Sequence, residues 1–418
     1  MATHTERPTS QAPVGARLRR VVVLGSSFAG MTAALELRKR LDRQDEIVVL
    51  DPRDQFTFIP SLIWLPFGLR DPEQITFPLA PLYEKKGIRY INSGAERIDV
   101  ENRVVLTAAG DELEYDRLMI GTGPRLAFEK IPGLGPHRGF TQSVCNLDHA
   151  LLARDAWERF LENPGPVVVG TAQGGSCFGA SYEFLFNLNY RIRKAGLKDV
   201  APVTFITAEP YLGHFGLGGV GSSAKLVEKF FDRLGIEGLP NTVIKEVRED
   251  EVELESGRVL PFAFSMVVPP FTGVDAIRNS DGLGNPMGWV PINDEFRHPE
   301  HEEIYAAGVA IAVAPPEPTP VPAGVPKTGQ MSETMALVAA HNIAADLRGG
   351  ERRKLALKDL AAVCVLDAGN NGVIFKAKHV LDPDESSARI LAGPQAHWAK
   401  VAFERYFMGS RRRGMVKV

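Results

Sequence analysis

The chain has 418 residues, 44% of them hydrophobic and 24% charged, with a formal net charge of −3. That length predicts two or three globular domains, and so balanced a charge gives no footprint for a nucleic-acid partner. No run of about 18 apolar residues occurs, so no transmembrane helix is expected.

Residues 1–18 are polar and proline-containing and lack the apolar core of a signal peptide, so they read as a disordered lead-in. A strand, "RRVVVLG", then runs straight into "SSFAGMTAALELRKRL". Met31, Ala34, Leu35 and Leu41 recur at helical spacing, with Arg38 at the edge of that face. The next strand, "EIVVLD", ends at Asp51. Gly25, Ser27 and Gly30 form a dinucleotide fingerprint in which Ser27 replaces the middle glycine, and Asp51 lies 21 residues after Gly30. In that fingerprint the turn and the helix N-terminus cradle a pyrophosphate, and the acid holds ribose hydroxyls.

"RIDV", "RVVLT" and "EYDRLMIGTG" predict a small meander and a strand ending in the tight turn Gly121-Thr122-Gly123. The plan then repeats. "GPVVVG" enters "TAQGGSCFGASYEFLFNL", followed by "VTFITAEP", "EVELESGRVL" and "FSMVVPPFTG". Near residue 304 a last strand, "IYAAGVAIA", leads through a proline-rich loop into the helix "QMSETMALVAAHNIAADL". The three cysteines, Cys145, Cys177 and Cys364, are too few and too far apart for a disulfide scaffold. No CxxC or CxxH pair is present, so no metal site is expected. Three buried thiols or a redox role both remain open on this count. Cys177 falls where the second glycine loop begins its helix. The positive end of a helix lowers a thiol pKa, so that position is expected to activate it.

The tandem plan resembles the two-dinucleotide-binding-domain flavoproteins, a glutathione-reductase-like α/β fold of two Rossmann-like domains. "SVCNLDH", "GGSCFGASYEF", "EPYLGHFGLGGVG", "TPVPAGVPKTGQM", "AVCVLDAGNNG" and "AKVAFERYF" narrow the resemblance to the sulfide:quinone oxidoreductases. It implies a discontinuous FAD-binding domain (residues 19–145 and 300–348), a second Rossmann-like domain (146–299), and a C-terminal region (349–418) for the redox cysteine, quinone and membrane attachment. It implies non-covalent FAD held by Gly25, Ser27, Gly30, Asp51, Thr122, Gly123 and Gly308. Lys327 would reach the flavin's pyrimidine end and Pro60 would border the isoalloxazine. No cysteine lies near Pro60 to form the covalent link of the related flavocytochrome c sulfide dehydrogenases.

The same resemblance implies a Cys177/Cys364 redox pair, bridged by a disulfide or by extra sulfur atoms, that takes sulfide to polysulfide or zero-valent sulfur. Cys145 would serve sulfur release. His149 and His214 would relay protons near the sulfide access route, and Glu183 would accept one. Glu183 lies six residues after Cys177, which does not by itself put the two on one helix face. Phe403 matches an aromatic that clamps the quinone, ubiquinone or menaquinone, and Val365 stands where some relatives carry Phe. In "HWAKVAFERYF" only Lys400, Glu404 and Arg405 break the apolar character from Trp398 onward, and Arg411, Arg412 and Arg413 follow. An apolar helix beside a basic cluster suits an anionic bilayer, so the expectation is a monotopic protein of a bacterial or archaeal plasma membrane, either face, and a homo-oligomer.

Two departures bear on the donor and the flavin. Ala172 sits where NADH-using loops place their middle glycine, and Val309 follows Gly308 where many flavoproteins carry an acid. Three alternatives stay open: a type II NADH:quinone oxidoreductase, a soluble persulfide-binding protein with structural FAD, and a sulfide dehydrogenase with a cytochrome acceptor.

Overall fold

The computed structural model describes residues 18–382 and 385–416, so nearly all of the expected lead-in lies outside the described residues. In chain order the elements that build the site begin with β1 (Arg20–Leu24), α1 (Phe28–Arg40), β2 (Glu46–Leu50) and a 3-10 helix (Ile59–Phe67). Next come β3 (Arg89–Ile91), β4 (Arg117–Ile120), α2 (Leu147–Glu162), β5 (Val167–Thr171) and α3 (Phe178–Lys194). They continue through β6 (Val203–Thr207), β7 (Glu237–Leu239), β8 (Phe264–Val268), β9 (Ile304–Ala306) and α4 (Gly329–Arg348). The chain closes on β10 (Ala362–Asp367), β11 (Gly372–Lys378), β12 (Ser387–Ala392) and α5 (Pro394–Arg412).

Two parallel sheets carry the fold, one ordered β9-β4-β1-β2-β3 and the other β7-β6-β5-β8. Val21 to Leu24 and Val167 to Val169 are buried on both faces, which is why these strands are apolar without alternation. α1 is lined by Ala29, Gly30, Ala33 and Ala34, small enough for α4 to pack closely against it. Arg38, the exception in its apolar pattern, donates to the carbonyls of Leu41 and Asp45 at 3.1 and 2.9 Å. Each parallel sheet is accompanied by an antiparallel meander, Ala95–Asp99 with its two partners and Ile244–Val247 with its two. The repeated plan in the sequence is therefore a repeated structure.

Two expectations change. The last strand of the first sheet stops at Ala306, and Gly308 opens a short 3-10 turn with φ +73°. A Cβ there would lie 3.1 Å from Ala29 Cβ and 3.2 Å from Ser332 Cβ, so the N-terminal ends of α1 and α4 converge on this glycine. The second change concerns the tail. It folds as a three-stranded antiparallel sheet, β10-β11-β12, with α5 packed on β10 and β11. The arginine run does not form a free basic cluster. Arg411 is buried and paired with Glu333 of α4, which also accepts from Thr32 Oγ1 of α1 at 3.0 Å. Arg412 donates to the carbonyls of Glu73 and Thr76 at 3.0 and 2.9 Å.

Candidate active site

At the carboxyl end of the first sheet, three glycines interlock. A Cβ on Gly30 would lie 1.9 Å from Gly25 O, one on Gly25 2.5 Å from Gly121 O, and one on Gly121 2.8 Å from Gly30 N. That brings the α1 N-terminus, with Ser27 at its N-cap, hard against the strand ends and leaves its N–H groups free of a side-chain cap. Asp51 is fully buried and accepts from Ser26 N at 2.6 Å. It also accepts a fork from Arg53, Nε at 2.9 Å and Nη2 at 2.7 Å, with which a ribose hydroxyl would compete. These residues fit a dinucleotide such as FAD. Thr122 and Gly123 follow Gly121, Gly123 with φ +73° and open space around it. Lys327 immediately precedes the N-cap Thr328 of α4. Its ammonium sits 5.5 Å from the Trp289 ring, and burial pulls its pKa down to about 8. Pro60 is the second residue of the 3-10 helix, whose N-cap is Phe58.

The second glycine loop has the same shape but is already filled by protein. Gly174 N donates to Pro322 O at 2.6 Å, and Gly324 N donates to Gly175 O at 2.9 Å. The proline-rich loop thus spends an N–H that a phosphate would need. At the end of β6 stands Glu209, where this fold places the acid for a ribose. Its carboxylate is buried and accepts from Tyr182 Oη at 2.9 Å, Thr207 Oγ1 at 2.7 Å and Phe215 N at 2.6 Å. Burial pushes its pKa up to about 7 against those donors.

Cys177 is the N-cap of α3 rather than part of its first turn. The strand β10 crosses that turn at Gly179, where a Cβ would lie 3.9 Å from Cys364 Sγ and 3.7 Å from Leu366 Cδ2. The charge of a Cys177 thiolate would raise the pKa of both Cys364 and Cys145. All three are free and partly buried. The helix end acts on Cys177 through an Ala180 N–H, but burial outweighs it and pushes the thiol up to about 11. Burial likewise pushes Cys145 and Cys364 up to about 12. The expected activation by the helix is therefore present in direction and outmatched in size.

Glu183, one and a half turns along α3, bonds β10 and α5 and its charge also acts on Cys177. It accepts from Asp367 N at 2.7 Å and forms a buried ion pair with Lys400 of α5. Burial pushes the carboxyl up to about 7, with Lys400 opposing. Lys400 also lies 4.8 Å from the Trp64 ring, and Trp64 Nε1 donates to buried Asp367 at 2.8 Å. Glu183 raises the Cys364 pKa and Lys400 lowers it. Lys400, Gly179, Trp64 and Asp367 were not singled out from the sequence. Lys400 was visible only as a break in an apolar helix, which is the one signal that marked it.

Among the described residues, neither histidine bonds a cysteine. His214 is buried, accepts from Gly216 N at 3.1 Å and pairs through Nε2 with Glu317 at 3.0 Å, so both ring nitrogens are taken. His149 packs its ring edge-on against Phe128 at 5.4 Å, and burial pushes its pKa down to about 4. Phe403 meets Phe58 at 5.9 Å and Phe407 at 5.9 Å, in a cluster that reaches Phe28 of α1. Val365 follows Cys364 on β10, opposite Ile374.

Residues 19–336 match the pyridine nucleotide-disulphide oxidoreductase family. The sulfide-quinone reductase of Aquifex aeolicus is 39% identical over 406 residues, covering 95% of this chain and 92% of its own. The X-ray structure of the sulfide:quinone oxidoreductase from the same bacterium superposes with a TM-score of 0.89, again over 95% and 92% of the two chains. NDH2 of Plasmodium falciparum, solved with NADH, shares the fold at a TM-score of 0.71 and 15% identity over 95% and 96% of the chains. The chain belongs to the pyridine nucleotide-disulphide oxidoreductase family. Within it, the sequence identity and the superposition put it among the sulfide:quinone oxidoreductases.

Proposed function

We propose that the protein oxidises sulfide with FAD as carrier and a membrane quinone as acceptor. The observation that carries this reading is the approach of Cys364 to Gly179, two residues after Cys177, beside the buried Glu183–Lys400 pair. FAD would be held non-covalently by Gly25, Ser27, Gly30, Asp51, Thr122, Gly123 and Gly308. Bound there, it supplies a two-electron acceptor that quinone regenerates. Lys327 and the α4 N-terminus offer positive charge for a reduced ring. The filled second loop and the sealed Glu209 argue against a pyridine nucleotide donor. We assign residues 19–145 with 300–348, 146–299 and 349–418 to the FAD-binding, second Rossmann-like and C-terminal parts.

The steps assigned to the chain start from the oxidised cysteine pair. Hydrosulfide attacks Cys177, the Cys177–Cys364 bond breaks, Cys177 becomes a persulfide, and Cys364 leaves as a thiolate carrying the electron pair. Cys145 then takes the outer sulfur onward, its thiolate attacking the persulfide and Cys177 leaving as a thiolate. Glu183 accepts the persulfide proton. Once protonated it no longer opposes the Cys364 thiolate, while Lys400 continues to favour it. Proton uptake and thiolate release are thereby coupled. His149 and His214 are assigned no proton-transfer step, because neither bonds a cysteine among the described residues.

At the membrane side α5 is inverted. Lys400, Glu404 and Arg411 face the protein, while Trp398, Phe403 and Tyr406 are 68%, 46% and 53% exposed. These exposed rings of α5 suit a bilayer interface, with Phe403 and Val365 toward the quinone, and Leu391 and Val363 of the adjoining sheet are exposed as well. No helix among the described residues is long and apolar enough to cross a membrane.

The test is anaerobic. Stoichiometric sulfide should bleach the flavin's visible absorbance, NADH should not, and decylubiquinone should restore it. Cys177→Ser and Cys364→Ser should each slow bleaching by at least about a hundred-fold, as loss of a covalent nucleophile does. Bleaching by NADH and not by sulfide would overturn the donor assignment.

A further inference from the structure

On either side of Cys145 in the sequence lie three residues that the sulfur chemistry does not use. His137, Asp148 and His149 each present one ligand atom, and the three atoms lie within 4.8 Å of one another. His137 comes from the glycine-rich loop 133–139, while Asp148 and His149 come from the first turn of α2. His137 Nε2 is 2.9 Å from Asp148 Oδ2, and the two imidazoles stand 5.2 Å apart, ring centre to ring centre.

His149 supplies the independent sign of a missing ligand. It is 5% exposed, and its Nδ1 is buried with no hydrogen-bond partner among the described residues. Such a nitrogen calls for an explanation, and a bound ion is one. The positive end of α2 disfavours a cation here, but it amounts to only about half a charge and Asp148 offers a full negative one. His137 and Asp148 are exposed, and the His149 ring beside them is buried.

We propose that His137, Asp148 and His149 form a site for a divalent transition-metal ion that prefers nitrogen and oxygen ligands, with water as the fourth ligand. Two imidazoles and one carboxylate suit zinc-like ions and disfavour magnesium or calcium, which take oxygen sets. The ion ties the 133–139 loop to α2. Cysteine spacing gave no hint of it, because its ligands are a histidine in one loop and an Asp-His pair in a helix.

Zn2+ is titrated into oxidised holoenzyme by calorimetry, and Co2+ is followed by its d–d bands at wavelengths beyond the flavin's absorption. The expected result is one saturable site per chain of micromolar affinity or tighter, with a Co2+ spectrum free of thiolate charge-transfer bands. His137→Ala and Asp148→Asn should each weaken binding at least about ten-fold while leaving the flavin spectrum unchanged. No saturable binding, unchanged binding in the double variant, or a thiolate charge-transfer band would each overturn the assignment.

Discussion

Lys400→Met isolates the buried ion pair at the centre of the site. Methionine keeps the stem that packs on Trp64 and removes the charge. Glu183 then has two courses. Left ionised without a partner, it costs about 3–5 kcal/mol. Protonated instead, it must be held neutral well above its ordinary range, at about 1.4 kcal/mol per pKa unit. Since its pKa already stands at about 7 with Lys400 opposing burial, removing Lys400 makes protonation the cheaper course at neutral pH. Protonation keeps the loss at the lower end of the range for breaking a buried pair, about 3 kcal/mol, with up to about 1 more from the cation–π contact. Unfolding entropies near 2 cal/mol/K per residue translate that into a melting point lower by roughly 3–5 °C for a chain of this size. Thermal release of flavin fluorescence measures it. Glu183→Gln/Lys400→Met should recover most of the loss, because replacing both members of a buried pair is near neutral. The acid limb of the sulfide-bleaching profile should also move to higher pH in Lys400→Met. A loss below about 1 kcal/mol, with an additive double variant, would show that the pair is not a coupled buried unit.

Glu209 gives a stability signature of its own. Its folded pKa, about 7, lies above its ordinary value, so the native state holds a proton that the unfolded chain releases as pH rises from about 4.5. Stability should therefore fall across that window by about 3 kcal/mol and level off above pH 7. Urea unfolding at pH 5 and pH 8 should show the fall in the wild type and a smaller one in Glu209→Gln. Gly30→Ala puts a methyl 1.9 Å from a backbone carbonyl that cannot yield cheaply. The purified variant should keep little flavin, read as the ratio of visible to ultraviolet absorbance, and full occupancy would refute the interlocked cradle. Trp398→Ser with Tyr406→Ser should lower co-sedimentation with anionic vesicles at least about five-fold, each ring contributing about 1 kcal/mol or more. Unchanged binding would turn that aromatic face into a contact of another kind.

The sequence by itself determined the tandem fold, because its information is local. Apolar strands, glycine turns and Asp51 fall at fixed spacings, and the backbone geometry they impose does not depend on distant residues. The cysteine contexts were legible for the same reason. Only the tertiary structure decided the electrostatics. A helix N-terminus at Cys177 suggested an activated thiol, but burial by β10 and its neighbours raises the pKa instead. The basic run at Arg411 suggested a lipid contact, but Glu333, 78 positions earlier, claims the first arginine. Lys400 looked like a flaw in an apolar helix until Glu183 appeared beside it. Desolvation and ion pairing depend on which distant segments pack together, and no spacing along one segment reports that.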